Sequence, residues 1–262
     1  MRSWTKTAGP GKRSLRRLLN GSAAQKPISA IIILAGLGLG APVFLTGTGC
    51  DGKKTKSPAL LLNVNFGGAP KTGKAAVGLS AQDYWNNHAP LPWKALSGAA
   101  RLKYANGEAT TIGFTVDNAG GAWGNKSGDP MYDTYIYPNN GQGDGVGQVT
   151  VTLTNLPAGE YDFFLYGHAD AGGRPESNST FSLKSGAREF GPAGTLTSNG
   201  WKATQPWEEG KQYVRFRGVR VAEGAEVVIT VAGGTNGKPS KGVAVINGFQ
   251  VARAGLLSGS LR

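Results

Sequence analysis

Residues 147–168 read GQVTVTLTNLPAGEYDFFLYGH. Val149, Val151 and Leu153 share one parity and Thr150, Thr152 and Thr154 the other, the period of two of a half-buried strand. LPAGE then interrupts the pattern with Pro157 and Gly159, and a second strand starts at Tyr161. The spacing predicts a β-hairpin. In its second strand Tyr161, Phe163 and Leu165 occupy one parity, Phe164 and Tyr166 the other. Both faces are apolar or aromatic, so this strand is expected in the middle of a sheet. An opposing sheet would bury one side and loops would cover the other. His168 then stands at the strand end, where it and Asp170 would border a binding face.

The same period extends outward. LLLNVNF (60–66), RLKYA (101–105), TTIGFTV (110–116), STFSLKS (179–185), YVRFRGVRV (213–221), EVVITVAG (226–233) and GVAVINGFQVA (242–252) all read as strands. No run of helical length shows a 3.6-residue period. Within YVRFRGVRV the parity switches: Val214 and Phe216 fall on one face, Val219 and Val221 on the other. One extra residue at Gly218 returns both pairs to the core, which predicts a β-bulge there and leaves Arg215, Arg217 and Arg220 to reach solvent. The last strand is expected beside the first. With 42 glycines and strands throughout, the chain is expected to be all-β, a single β-sandwich of jelly-roll type over residues 59–254.

The net charge of +12 is unevenly distributed. Residues 1–58 hold ten Lys/Arg and one acid, Asp51; residues 59–262 hold 18 bases and 15 acids. The folded part is nearly neutral, which argues against nucleic acid as a partner. The basic head (1–29), the apolar run from about Ala30 to Leu45 and the small residues after it have the three parts of an export signal, placed at 1–49. The apolar run is short of the roughly 20 residues a membrane span needs. GTGC (47–50) resembles the lipobox of bacterial lipoproteins, which makes Cys50 a lipidation site and 50–58 a polar tether. Gly47 stands where that pattern usually has Leu, so a plain secretory signal and an uncleaved anchor stay open beside the lipoprotein reading. Each of the three puts the domain outside the cytoplasm, with a C-terminal tail at 255–262. Cys50 is the single cysteine, which excludes an intramolecular disulfide and a cysteine zinc site.

Leu60 to Arg253 resembles an uncharacterised β-sandwich module of bacterial secreted and surface proteins. More loosely it is similar to galactose-binding-like jelly rolls. LTNLPAGEYDFFLYGH and the closing INGFQV carry the likeness. The resemblance implies a module that binds carbohydrate or acts as an accessory or scaffold domain of the cell envelope, and it transfers no sugar-contact motif to particular residues here.

No G-x-S-x-G elbow is present, and the only histidines are His88 and His168, so no catalytic constellation is identifiable and no enzyme activity is expected. A carbohydrate-active hydrolase or lyase remains a third reading, behind glycan binding and a protein-interaction role. Oxygen ligands in the Gly-rich loops, Asp117, Asp129, Asp133 and Asp144, with Asn118, Asn139 and Asn140, would suit calcium, although Asn, Asp and Gly equally make turns. No other cofactor is expected. Sugar recognition uses aromatic platforms beside polar groups. Trp123, Tyr132 and Tyr135, together with His168 and Asp170, are the ligand-contact candidates, with Tyr137, Trp201 and Trp207 as further aromatics. Trp123 and Tyr132 fall in a Gly/Asn/Asp-rich loop region, whereas Trp85 and Trp207 read as packing anchors under loops.

Overall fold

The computed structural model describes residues 60–67, 70–88, 96–124, 129–138, 147–169, 179–195, 207–233 and 244–256. All of them belong to the second of two units into which the chain divides, Lys54–Arg262. The leader and Cys50 lie outside the described residues. So do Asp144, Asp170 and Trp201.

Two sheets form the sandwich. The first contains β1 (Leu61–Asn65), β2 (Asn86–Asn87), β8 (Gly159–Tyr166), β11 (Val214–Val221) and β13 (Gly248–Arg253), in the order β11-β8-β13-β1-β2. The second contains β3 (Gly98–Ala99), β4 (Gly113–Asp117), β7 (Gln148–Thr154), β9 (Ser179–Ser185), β10 (Arg188–Gly194) and β12 (Val227–Gly233), in the order β10-β9-β12-β7-β4-β3. A separate two-stranded ribbon pairs β5 (Ala119–Gly124) with β6 (Thr134–Pro138). β13 runs antiparallel to β1, with Leu61 opposite Ala252 and Asn65 opposite Gly248, so the last strand does lie beside the first. Among the described residues no helix is long and apolar enough to cross a membrane.

The stretch from Gly147 to His168 is not a hairpin. β7 bonds to β12 and β4 in one sheet, β8 to β11 and β13 in the other, and the chain crosses between the sheets over residues 155–158. Hydrophobic alternation cannot separate the two cases. In a hairpin the inward parities lie side by side; in a crossing they face each other through the core. The link itself fits the crossing. Leu156 is buried among the core side chains, Asn155 takes a left-handed φ of 58° and donates to the Thr111 carbonyl at 3.1 Å, and the Tyr161 hydroxyl donates to the Pro157 carbonyl at 2.7 Å.

The bulge stands where expected. Register between β11 and β8 shifts between Phe216 and Val219, Gly218 has φ 64°, and its N–H donates to Asp162 Oδ1 at 3.0 Å. Arg217 and Arg220 are exposed, but Arg215 is half-buried: it donates to Asp162 Oδ2 at 2.7 Å and lies 5.1 Å from the Phe164 ring centre. One carboxylate thus serves both the bulge amide and the arginine beside it.

The first sheet is apolar on both faces. Its inner face packs Val64, Phe163, Leu165, Phe249 and Val251 against Phe114, Val149, Val151, Leu153 and Ile229 of the second sheet. Each such side chain contributes about 1.5–3 kcal/mol by leaving water. Its outer face carries Leu61, Phe164, Tyr166 and Ala252 under a cover of Trp85, Tyr132, Tyr213 and Val77 from the connecting segments. Three polar side chains beneath the cover, Asn63, Tyr166 and Gln250, are linked in a chain. Gln250 Nε2 donates to Asn63 Oδ1 (2.8 Å) and to the Val77 carbonyl (2.9 Å), and Gln250 Oε1 accepts from the Tyr166 hydroxyl (2.5 Å).

Candidate functional site

The ribbon presents aromatic surface, as does the exposed Tyr84 outside it. Ala122 and Ile136, directly opposed, point into the main core at 1% and 0% exposure. Strand alternation therefore turns the flanking pairs outward. Trp123 opposes Tyr135, and Gly121 opposes Tyr137. Trp123 is 45% exposed and both tyrosines are half-buried. A Cβ placed on Gly121 would meet the Tyr137 hydroxyl at 2.5 Å and Cζ at 2.9 Å. Side chains normally stand roughly perpendicular to a sheet. Tyr137 instead lies across the ribbon with its tip over the bare Cα of Gly121. The outward face of residues 121–124 and 134–137 carries three aromatic rings and no charged group.

The ribbon is held on the sandwich by the residues just before β13. Ile136 and Ile246 exchange backbone hydrogen bonds at 3.1 and 3.2 Å. Asn247, fully buried, makes four bonds to three segments. Its Nδ2 donates to the Thr134 carbonyl (3.0 Å), its Oδ1 accepts from the His168 N–H (2.7 Å), its N–H donates to the Tyr166 carbonyl (2.8 Å), and its carbonyl accepts from the Phe66 N–H (2.8 Å). The Asn247 amide ties the position of the ribbon to that of β8.

Of the five ligand-contact candidates, the structure brings Trp123 and Tyr135 together. It places Tyr132 and His168 elsewhere. Both are 0% exposed, so neither presents a surface. Tyr132 stacks on Trp207 with centroids 5.7 Å apart at 26°, and its hydroxyl donates to the Gln212 carbonyl. The His168 ring lies edge-on to Tyr132 at 5.7 Å, with Nε2 3.1 Å from the Lys211 carbonyl, to which only a protonated Nε2 can donate. Burial pushes the imidazole down to about 3 despite that bond, and burial also lowers His88. Burial raises the Tyr132 and Tyr166 hydroxyls well above the ordinary phenol range. Trp123 thus stands on an outward face, while Tyr132 and His168 belong to a buried cluster. Tyr137 was a lesser candidate in the sequence, yet it joins the face. The signal was the Y-I-Y alternation of 135–137, a strand in a segment read as loop.

Trp85 and Trp207 are packing anchors as expected. Trp85 is buried and its indole donates to the Gly73 carbonyl at 2.7 Å. Between the two indoles sits Lys71, 7% exposed, its Nζ 5.3 Å from the Trp85 ring centre, 5.9 Å from that of Trp207 and 4.0 Å from Asp129 Oδ1. Burial lowers the lysine pKa and the Asp129 charge opposes that shift. Among the described residues no three His, Cys, Asp or Glu side chains gather in a way that could hold a metal. Asp117 is exposed at the end of β4, and Asp129 Oδ1 accepts the Met131 N–H at 2.8 Å in its own turn. The described members of the calcium set therefore do not converge.

No family description matches the chain, and no curated protein is similar to it. Solved structures do resemble it in part. The ANX2 ectodomain from Arabidopsis thaliana is 15% identical over 74% of this chain and 49% of its own length, with a TM-score of 0.36. The plant receptor-like kinase ANX2 gives 17% over 74% and 47%, at 0.39. TmCBM61 in complex with beta-1,4-galactotriose gives 17% over 53% of this chain and 81% of its own, at 0.28. The chain spans about half the length of the ectodomains it matches. At these identities and scores the likenesses bear on neither ligand nor activity.

Proposed function

We propose that this chain is an exported, non-catalytic binding module for glycans, whose contact surface is the outward face of the β5–β6 ribbon. The observation that carries the reading is the grouping of Trp123, Tyr135 and Tyr137 on one rigidly anchored, uncharged face. Aromatic rings offer flat apolar area to the C–H face of a sugar while their rims stay wet. The non-catalytic part is supported by the chemistry of the two histidines. His168 is buried and its pKa is lowered to about 3, so near neutrality the imidazole is neutral and resists taking up a second proton, which suits it poorly to general-base work there. The leader and Cys50 support attachment to a bacterial envelope membrane through a lipid. The uncleaved or fully secreted forms would leave the binding face unchanged.

A glycan array probed with the full chain in detergent, with and without calcium, tests the reading. Binding to at least one glycan, weakened about tenfold or more by Trp123→Ala, is expected, tenfold being 1.4 kcal/mol. Absence of binding to any glycan would remove this function and leave an envelope protein as the partner of the aromatic face.

A further inference from the structure

We infer that the corner of the sandwich carrying Leu79, Tyr84 and Lys103 rests on an anionic bilayer surface, with the aromatic ribbon held away from it; the inference rests on the membrane attachment proposed above and not on the glycan reading. The place where the chain enters the sandwich carries it first. Leu61 opens β1 eleven residues after Cys50, which keeps it within about 40 Å of a lipid on that cysteine. The Leu61 carbonyl accepts the Ala105 N–H at 2.7 Å, and the Ala105 carbonyl accepts the Tyr84 N–H at 2.7 Å. Two such steps between neighbouring backbones put Tyr84 about 10 Å from Leu61. The ribbon is secured at the other end of β1, about 17 Å away. There Asn65 lies opposite Gly248, and Asn247 accepts the Phe66 N–H and donates to the Thr134 carbonyl. An attachment ahead of β1 therefore brings the Tyr84 corner to the membrane and leaves the ribbon at the far end.

The chemistry of the corner fits such a surface. Among the described residues the exposed large apolar side chains are Leu79, Tyr84 and Trp123, and the first two belong to one turn. Asp83 ties that turn together: Oδ2 accepts the Leu79 N–H at 2.6 Å and Oδ1 the Ser80 N–H at 2.8 Å. The Asp83 carboxylate is itself buried, so among the described residues of 70–88 the one exposed charge is Lys74. The Lys74 stem lies where a Cβ on Gly78 would go, beside Leu79. From the neighbouring segment Lys103 sets its Nζ 5.3 Å from the Tyr84 ring centre. Glu108 pairs with Tyr104, which strand alternation turns to the side opposite Lys103; burial, and after it the Glu108 carboxylate, raise the Tyr104 hydroxyl. Neither Lys74 nor Lys103 is ion-paired among the described residues. A tyrosine has an apolar body and a wet tip, and a lysine stem covers apolar surface while its ammonium reaches outward. That combination suits a membrane–water interface, where each lysine adds about fivefold to binding on anionic lipid.

The test places the full chain in lipid discs of phosphatidylcholine, with and without phosphatidylglycerol, and carries the photoreactive p-benzoylphenylalanine at position 84, at position 79 or, as a control on the ribbon, at position 123. Mass spectrometry reads the lipid adducts and the modification of Cys50. In anionic discs, adducts at 84 and 79 are expected to exceed those at 123, and Lys103→Glu or omission of phosphatidylglycerol is expected to lower them about fivefold. Yields at 84 and 79 no higher than at 123 overturn the docking. Yields unchanged by Lys103→Glu and by lipid charge overturn the choice of an anionic surface. Crosslinks from 84 and 79 to a second copy of the chain in place of lipid overturn the docking equally. Should the chain with the probe at 84 fail to fold, judged by its thermal midpoint, position 79 decides. A Cys50 without lipid overturns that form of attachment alone, and the adduct yields still decide the docking.

Discussion

His168 is a histidine that reads as chemistry in the sequence and acts as structure in the fold. Its backbone N–H is fixed by Asn247 and its ring by the Lys211 carbonyl, against the Tyr132 ring. Burial depresses its pKa to about 3 from 6.5. As pH falls below 6.5 the unfolded imidazole takes up a proton and the folded one does not. Stability is therefore fully present above pH 6.5 and is lost progressively toward pH 3. At pH 5 this amounts to about 2 kcal/mol. His88, also lowered by burial, adds a loss of the same sign. Urea midpoints at pH 7 and pH 5 should differ accordingly, and His168→Phe should shrink that difference; an unchanged difference would contradict the buried neutral imidazole.

At the scale of elements, the ribbon depends on one amide more than on its own pairing. β5 and β6 are short, and an isolated two-stranded ribbon is marginal in water. Asn247 supplies the link from the ribbon to β8 and β1. Asn247→Ala would leave the Thr134 carbonyl and the His168 N–H without that partner, at a cost of about 1–3 kcal/mol. Hydrogen exchange of the β5 and β6 amides is expected to quicken in this variant far more than that of β8 and β13, and glycan affinity is expected to fall with it. Uniform quickening across both sheets would show that Asn247 secures the sandwich as a whole and not the ribbon in particular. The bulge in β11 follows a similar logic, because Asp162 ties Gly218 and Arg215 into a single unit on one edge strand.

Over the whole molecule, the first sheet is buried twice, once by the second sheet and once by the cover of loops. The cover has its own anchors in Trp85 and Tyr132, and its own polar chain through Gln250 and Asn63. Trp85→Ala is expected to destabilise the fold by about 3–5 kcal/mol, read from chemical denaturation. Tryptophan burial in the cover also predicts that this variant quickens exchange at the amides of 73–88 before those of β8. A loss below 1 kcal/mol would show that the cover merely rests on the sheet.

Alternation alone was enough to read β1, β4, β7, β8, β9, β11, β12 and β13, the bulge at Gly218, and the two-sided burial of β8. These follow from local rules: the side-chain period of a strand and the cost of burying arginine. Strand alternation did not reveal β2, β3, β5, β6 or β10, and RLKYA (101–105), read as a strand, forms only isolated bridges at Lys103 and Tyr104. Glycines in GGAWG weaken the alternation of β5, and β10 is mostly exposed and so carries no apolar period. The site followed the same division. Aromatic content could be counted in the sequence, and Trp123 and Tyr135 were among the candidates. Which rings face outward was decided by pairing register and by the anchoring of Ile136 into the core. Likewise, a period of two specifies that Val149 and Phe163 point inward, but not whether they meet side by side in one sheet or face to face between two. Only the tertiary structure decides that, because the choice lies in which backbones exchange hydrogen bonds, and every strand offers the same donors and acceptors.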